Sequence, residues 1–387
     1  MKLFGYELSK QQSKPQSNDL SVHKFSNPTN WGSAELKEDM AHPLINKDSS
    51  SEYIPFGISN LYPQILVDMY HGSSFHSAMI NFKTKAINGK GITINMPVKN
   101  LEDGIKKARL ENLFNRNFIK RFIQEYLIHE RINIKLNTKS AQINSFEITG
   151  SEKIRRNLDG SCFYFSDNWY KKTRIQKIPK YDKYDKQSEC QLLEFQSLTP
   201  GVDVYAIPNY SSAGNWIWLD SSIAYFQKQN LENSINPSAI MKFPKDIANK
   251  EEKQKFIDDL QSKFTGAKNA GKVMAFFAAN KELLPEIEIS ESNKLDKSFA
   301  AVQENIVRNV AYAHGVDPGL IGVATAGQLG NVQQLNVAYQ IFNQVYLEGM
   351  QLDVEDYLNQ LIKLIEPSAS ISINKSETYL VDNTNQK

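Results

Sequence analysis

Apolar positions first crowd together at Tyr53-Ile54-Pro55-Phe56-Gly57, and ordered structure is expected to begin there. Tyr62-Pro63 then opens a helix, because Pro suits a first helical turn, and Ile65, Leu66, Met69, Phe75, Met79, Ile80 and Phe82 recur at near-helical spacing with an interruption near Gly72. Asn88-Gly89-Lys90-Gly91 reads as a turn into the alternating strand Ile92-Thr93-Ile94. A second helical pattern over Leu101 to His129 sets Leu110, Leu113, Phe114, Phe118, Phe122, Tyr126 and Leu127 on one side, with a break available at Asn115 to Asn117.

From Arg131 to Tyr225 the period shifts towards two. Short β-rich runs at Ile132–Leu136, Phe146–Ile148, Cys162–Phe165, Leu192–Phe195 and Val202–Ile207 predict a mixed or antiparallel sheet with Lys- and Tyr-rich loops. Lys171 to Lys186 reads as an exposed hairpin rim. Its basic residues interleave with Tyr181 and Tyr184 in a way that suits nucleic acid, but Asp182 and Asp185 offset them and a solvated face is the expectation.

The pattern returns to helix in the last third. Asn249 caps Lys250-Glu251-Glu252, and Phe256, Leu260 and Phe264 follow four apart until Gly266 stops the run. An apolar strand Val273–Phe277 and a second around Glu286–Ile289 come next. A helix from about Lys294 then carries Leu295, Phe299, Val302, Ile306 and Val310 on one stripe and ends at Gly315. After a loop Val316–Gly330, a helix from about Asn331 to Ile365 has Leu335, Ala338, Phe342, Val345, Leu352, Leu358, Leu361 and Ile365 on its expected buried side and a bend expected at Gly349. At 1.5 Å per residue it spans roughly 50 Å, which favours an elongated, assembled architecture. Residues from about Lys10 to Ser51 are polar and poor in apolar spacing, so they read as a flexible arm or one that docks on a neighbouring subunit.

Charge narrows the function classes. With 45 Lys+Arg against 43 Asp+Glu the net charge is only +2, too small for a protein whose task is to hold duplex DNA, though compatible with DNA in transit. Cys162 and Cys190 lie far apart with no ligand-spaced neighbours, so reduced thiols are expected and not zinc. No apolar run approaches the ~18 residues of a membrane span, and the first residues lack a signal-peptide core, which predicts a soluble intracellular product.

Candidate chemistry is sparse. Gly266-Ala267-Lys268-Asn269-Ala270-Gly271-Lys272 fits G-x-x-x-x-G-K, but Val273 stands where a hydroxyl should hold Mg²⁺, and a helix precedes the glycines where a strand should. A helix-to-strand turn explains it. His71 and His76 are five apart, the wrong interval for two ligands on one helical face, and His314 is expected to carry partial positive charge at a helix C-terminus. No catalytic residues, metal ligands or cofactors are expected, and the chain reads as a non-enzyme.

The run Gly201-Val202-Asp203-Val204-Tyr205-Ala206-Ile207-Pro208-Asn209-Tyr210, then Trp216-Ile217-Trp218-Leu219-Asp220, then His314-Gly315-Val316-Asp317-Pro318-Gly319-Leu320-Ile321-Gly322 before a long helix, resembles the portal proteins of tailed bacteriophages. The resemblance implies an α+β, portal-like fold: an arm (1–52), a mixed α/β wing domain (53–248), a first stem helix (249–264), a small α/β clip (265–293), a second stem helix (294–315), a channel loop (316–330) and a long wing- or crown-side helix with a short tail (331–387). It implies a ring of about twelve copies at one capsid vertex, with double-stranded DNA packaged and ejected through it. Its partners would be the terminase large subunit, the major capsid protein, a scaffold and a head-tail adaptor, with assembly in the host cytoplasm and no membrane. The loop residues touching DNA would be Val323, Ala324, Thr325, Ala326, Gly327 and Gln328, and Lys268, Lys272, Phe276 and Phe277 would serve clip docking and subunit contact. A nucleotide-dependent enzyme using Gly266–Lys272, or another structural virion protein, is the alternative.

Overall fold

The computed structural model describes residues 52–139, 142–198, 200–233, 237–243, 251, 254–255, 272–277, 292–323 and 332–376, with side chains described outside 229–243, 272–277 and 292–298. It is a mixed helix and sheet protein, as expected.

Helices α1 (Tyr62–Gly72) and α2 (Ser74–Asn88) follow the predicted apolar run, and Ser73 explains the interruption: its hydroxyl accepts from the His76 amide at 3.1 Å and starts a new helix. Strand β1 (Ile92–Asn95) follows. The next pattern is two helices, α3 (Leu101–Leu113) and α4 (Arg116–His129), each headed by an Asn whose side chain accepts amide bonds: Asn100 from Asp103, and Asn115 from Asn117 and Phe118. Helix α3 buries only Leu110, whereas α4 lays Ile119, Phe122, Ile123 and Tyr126 into the main core.

Strands β2 (Arg131–Lys139), β3 (Gln142–Thr149) and, beyond, β7 (Cys190–Gln196) form an antiparallel sheet with β2 central. Ile132, Ile134 and Leu136 are fully buried on the helical side of β2. A second antiparallel sheet has strands β4 (Ile154–Arg156), β5 (Cys162–Phe165) and β6 (Gln176–Pro179), and a 3₁₀ turn, Ser151–Lys153, leads into it from β3. Arg155 is wholly buried where this sheet meets the chain ahead of α1: its guanidinium donates to the Asn60 side-chain and backbone oxygens, both at 2.6 Å, and lies 4.9 Å from the Trp169 ring.

Two expectations fail in this stretch. Val202–Ile207 is not a strand, although Val204–Ile207 is buried; the Gln196 side-chain amide takes the place of a neighbouring strand, donating to Val204 O at 3.1 Å and accepting from Ala206 N at 3.2 Å. Next, Gly214–Asn233 is a helix, α5, preceded by the 3₁₀ turn Asn209–Ala213. Trp216 and Trp218 mimic a period of two, but both are only half-buried while Ile217, Ser221 and Ile223 are buried, and Asp220 accepts from the Ser73 hydroxyl at 2.7 Å.

Strands β8 (Pro237–Phe243) and β9 (Lys272–Phe277) pair in parallel, so the apolar strand after the glycines finds its partner upstream. Glu251, Gln254 and Lys255 are helical and exposed; the remainder of the helix predicted from Asn249 and the strand predicted at Glu286–Ile289 lie outside the described residues. Helix α6 (Ser292–His314) matches its pattern, with Ile306 and Val310 fully buried and Phe299 and Val302 half-buried.

The long terminal helix is one run with a π-turn, Asn343–Leu347, between α7 (Val332–Phe342) and α8 (Glu348–Ile365). The irregularity therefore falls one turn before Gly349, which is ordinary helix. The extra residue of the π-turn rotates the face. Leu335, Val345 and Leu352 are exposed, contrary to expectation, Val345 at 64% and Leu352 at 62%, and the buried stripe is Phe342, Leu347, Gln351, Val354, Leu358 and Leu361. Strand β10 (Ser370–Ile373) then returns to pair antiparallel with β1, Ile92 opposite Ile373. Asn359 of α8 holds β10 by two bonds to Ile371, both 2.8 Å, and Gln351 donates to the Ala86 and Ile87 carbonyls at the end of α2.

Candidate functional site

The predicted loop is rooted in the end of α6, and every described residue of that root is fixed. Gly315 has φ +64, and a Cβ there would lie 2.6 Å from the Tyr346 ring of the π-turn, so glycine serves both backbone and contact. Asp317 caps the 3₁₀ turn Pro318–Ile321 by accepting from Gly319 N at 2.7 Å, and Gly322 closes it in the left-handed region. Val316 is buried and Val323 half-buried. Ala324, Thr325, Ala326, Gly327 and Gln328 lie outside the described residues.

His314 corrects the reading of a charged helix end. It is 2% exposed, its Nε2 lies 2.9 Å from His76 Nδ1 on α2, and its ring stacks on Tyr210 at 5.1 Å. Burial first, and then the Lys83 ammonium, hold His76 down at about 3, and burial, Lys83 and His76 hold His314 well below the usual range. Both rings are neutral. Tyr210 donates to Ile128 O at 2.7 Å, so this clasp joins α2, α4 and α6. Burial likewise lowers Lys83 to about 8, opposed by Glu130, whose own carboxyl is raised by burial to about 7.

Lys272, Phe276 and Phe277 stand on β9, Lys272 as its first residue, and Lys268 is outside the described residues. A phosphate-binding Lys belongs at a helix N-terminus, so a strand-borne Lys272 offers no nucleotide cradle. On the Lys171–Lys186 rim, Tyr184 is 77% exposed with Lys183 Nζ 4.8 Å above it. Asp182 and Asp185 are turn formers there, accepting from the amides of Tyr184 and of Gln187 and Ser188. Cys162 and Cys190 are free thiols. One cluster escaped the sequence reading: Glu125 and His129 on α4 with Glu152 of the 3₁₀ turn, whose ligand-type atoms all lie within 4.8 Å of one another. Burial and the Glu152 carboxylate raise Glu125, and burial with Arg131 and Arg155 lowers His129 to about 3. Glu125 and His129 are one turn apart, a signal present in the sequence, but Glu152 joins them only across the β2–β3 hairpin. Among the described residues no helix is long and apolar enough to cross a membrane.

Comparison with known proteins gives a consistent result. A family model described as phage portal protein matches residues 111–370. Over 171 residues the chain is 26% identical to an uncharacterized protein of Rickettsia bellii (strain RML369-C) and 28% identical to one of Rickettsia felis (strain ATCC VR-1525 / URRWXCal2), covering 44% of this chain and 43% of each relative. The match thus spans less than half the length of these curated relatives. Among solved structures, a chain of the virion of a native gene transfer agent particle superposes with a TM-score of 0.55 at 16% identity, over 81% of this chain and 83% of that one. A chain from the neck of the native particle, computed with C12 symmetry, gives 0.54 at 14% identity over 80% and 84%.

Proposed function

The chain belongs to the phage portal protein family, and from that premise we propose that copies of it close a ring of about twelve at one capsid vertex through which double-stranded DNA is packaged and later ejected. The observation that carries this is the family match, which runs without a break from α3 through both sheets, α6 and the long helix to the start of β10.

In this reading residues 53–248 form the wing, 249–264 and 294–315 the channel wall, and 316–330 the loop that meets moving DNA through Val323 to Gln328. Residues 265–293 form a clip that presents Lys268 and Lys272 to a terminase large subunit and then to a head-tail adaptor, with Phe276 and Phe277 between neighbours. The parallel β8–β9 pair supports a clip braced against the segment that enters the stem. A ring also gives the exposed apolar stripe of the long helix a purpose: Val337, Ile341 and Val345, four apart, and Leu352 are all at least half exposed, and a neighbouring copy covers them. Near-neutral charge suits a conduit that must not trap DNA. Capsid protein and scaffold contacts fall to the wing, and assembly to the host cytoplasm. The protein acts by shape and carries no catalytic step.

Native mass spectrometry with negative-stain imaging of the purified protein tests the ring. Closed rings of about a dozen copies with an axial hole support it; tubes, shells or a capped dimer that persist with scaffold present overturn it. Deleting Ala324–Gly327 is expected to leave rings intact and reduce packaged DNA, and loss of folding on that deletion would place the loop in the core.

A further inference from the structure

The cluster on α4 is built as a cation site. Glu125 and His129, four apart, point to one side of the helix. The turn that brings Glu152 to them is pinned three ways: Ser151 Oγ donates to Arg131 O and accepts from Asn133 Nδ2, both at 3.0 Å, and Ser151 N donates to Glu125 Oε2 at 3.3 Å. Gly150 adds a second, independent sign. Its φ of −56° and ψ of 135° suit any residue, yet a Cβ there would lie 2.3 Å from Glu152 Oε2. The glycine leaves room for the carboxylate and does not serve the turn.

Two carboxylates lie together here, Glu152 raising Glu125, while the Arg121 and Arg155 charges oppose them from a distance without pairing. Among the described residues, no lysine or arginine forms an ion pair with Glu125 or Glu152; the nearby Arg131 is engaged by Glu194 at 2.7 Å, and Arg155 by Asn60 and backbone oxygens. His129 is 4% exposed, and its Nε2 stands 3.8 Å from Glu125 Oε2, beyond hydrogen-bonding reach. A buried imidazole aimed at two carboxylates without bonding either is the arrangement an ion completes. With ligand bonds of about 2.1 Å, neighbouring ligands of one tetrahedral ion lie ~3.4 Å apart, so a cluster within 4.8 Å closes when rotation of the two glutamate side chains draws their oxygens in by about an ångström or more. One imidazole and two carboxylates select zinc, manganese or iron(II) over magnesium or calcium.

We propose that Glu125, His129 and Glu152 bind one divalent transition-metal ion, which staples α4 of the main core to the turn that leads into the second sheet.

The test uses the full chain stripped with a chelator and titrated with ZnCl2 or MnCl2, with MgCl2 as the hard-cation control, by calorimetry and thermal melting. One equivalent per chain is expected for zinc or manganese, with a Tm rise of about 3–5 °C at roughly a hundredfold excess over Kd. Glu152→Gln should lose that equivalent and the Tm rise while keeping its far-ultraviolet circular dichroism. Gly150→Ala should weaken binding by about tenfold or more by crowding the carboxylate. The assignment is overturned if the stripped wild type takes up neither metal, or if Glu152→Gln keeps both the equivalent and the Tm rise, which would move the uptake to exposed His71 or to the thiols.

Discussion

His76 and His314 set how the root of the predicted loop responds to acid. Their folded pKa values lie below the unfolded 6.5, so unfolding takes up protons below that point, and the stability they supply is present above pH 6.5 and drains away towards about pH 3. Lys83 on α2 is the charge that acts on both rings, with Glu130 acting on Lys83 in turn, and both remain when one ring is replaced by an amide. His314→Asn is therefore expected to flatten the fall of unfolding free energy between pH 6.5 and 4.5 by up to about 1.4 kcal/mol per pH unit relative to wild type, read from urea curves at several pH values; equal slopes would mean the rings are charged in the fold. Gly315 gives a second residue-level test. Gly315→Ala should cost about 1–2 kcal/mol for its left-handed backbone alone and more for the Tyr346 ring, so the same change made in Tyr346→Ala should cost less. Sequence reading marked Gly315 as a helix stop and His314 as a charged end. It lacked the partners: His76 is 238 positions away, and nothing local announces it.

At the scale of elements, local chemistry was the legible part. Pro63 opens α1 where expected through its fixed φ, the helix expected from Leu101 starts there under an Asn100 cap, and Asn115, expected only as a break, caps a second helix, since a cap works on amides two or three residues on and needs nothing distant. Misreadings arose where a side chain did the work of a neighbouring strand, as Gln196 does for Val204 and Ala206, or where two tryptophans imitated alternation at the start of α5. Along the long helix Phe342, Leu358 and Leu361 are buried as expected, while the π-turn shifts Val345 and Leu352 to the exposed side and Leu335, ahead of it, is exposed as well. That shift yields a prediction for the proposed ring. Replacing Ile341 and Val345 together by Lys removes apolar area that a monomer already exposes, so the melting temperature should stay within about 1–2 °C of wild type, while the ring fraction in native mass spectra collapses. Intact rings would place the subunit contact elsewhere.

In the whole molecule, the pairing of β1 with β10 ties the two ends of the described fold into one body, with Asn359 and Gln351 holding both sides from α8. Ile371 is 2% exposed at that junction, and Ile371→Ala should lower stability by about 2–5 kcal/mol in a single transition, followed by circular dichroism and tryptophan fluorescence together. Two separated transitions would show that the pair closes independently of the core. None of this closure was visible along the sequence, where Ile92-Thr93-Ile94 reads as an alternating strand with no partner in sight. It has a consequence during synthesis. Thr93 meets Asn374 across 281 positions, which a ribosome adding ~5–20 residues per second covers in about 15–55 s. Through that interval Ile87 and Ile94 have left the exit tunnel and their cover has not been made, so the nascent chain stays exposed to holdases and proteases around these residues until β10 arrives.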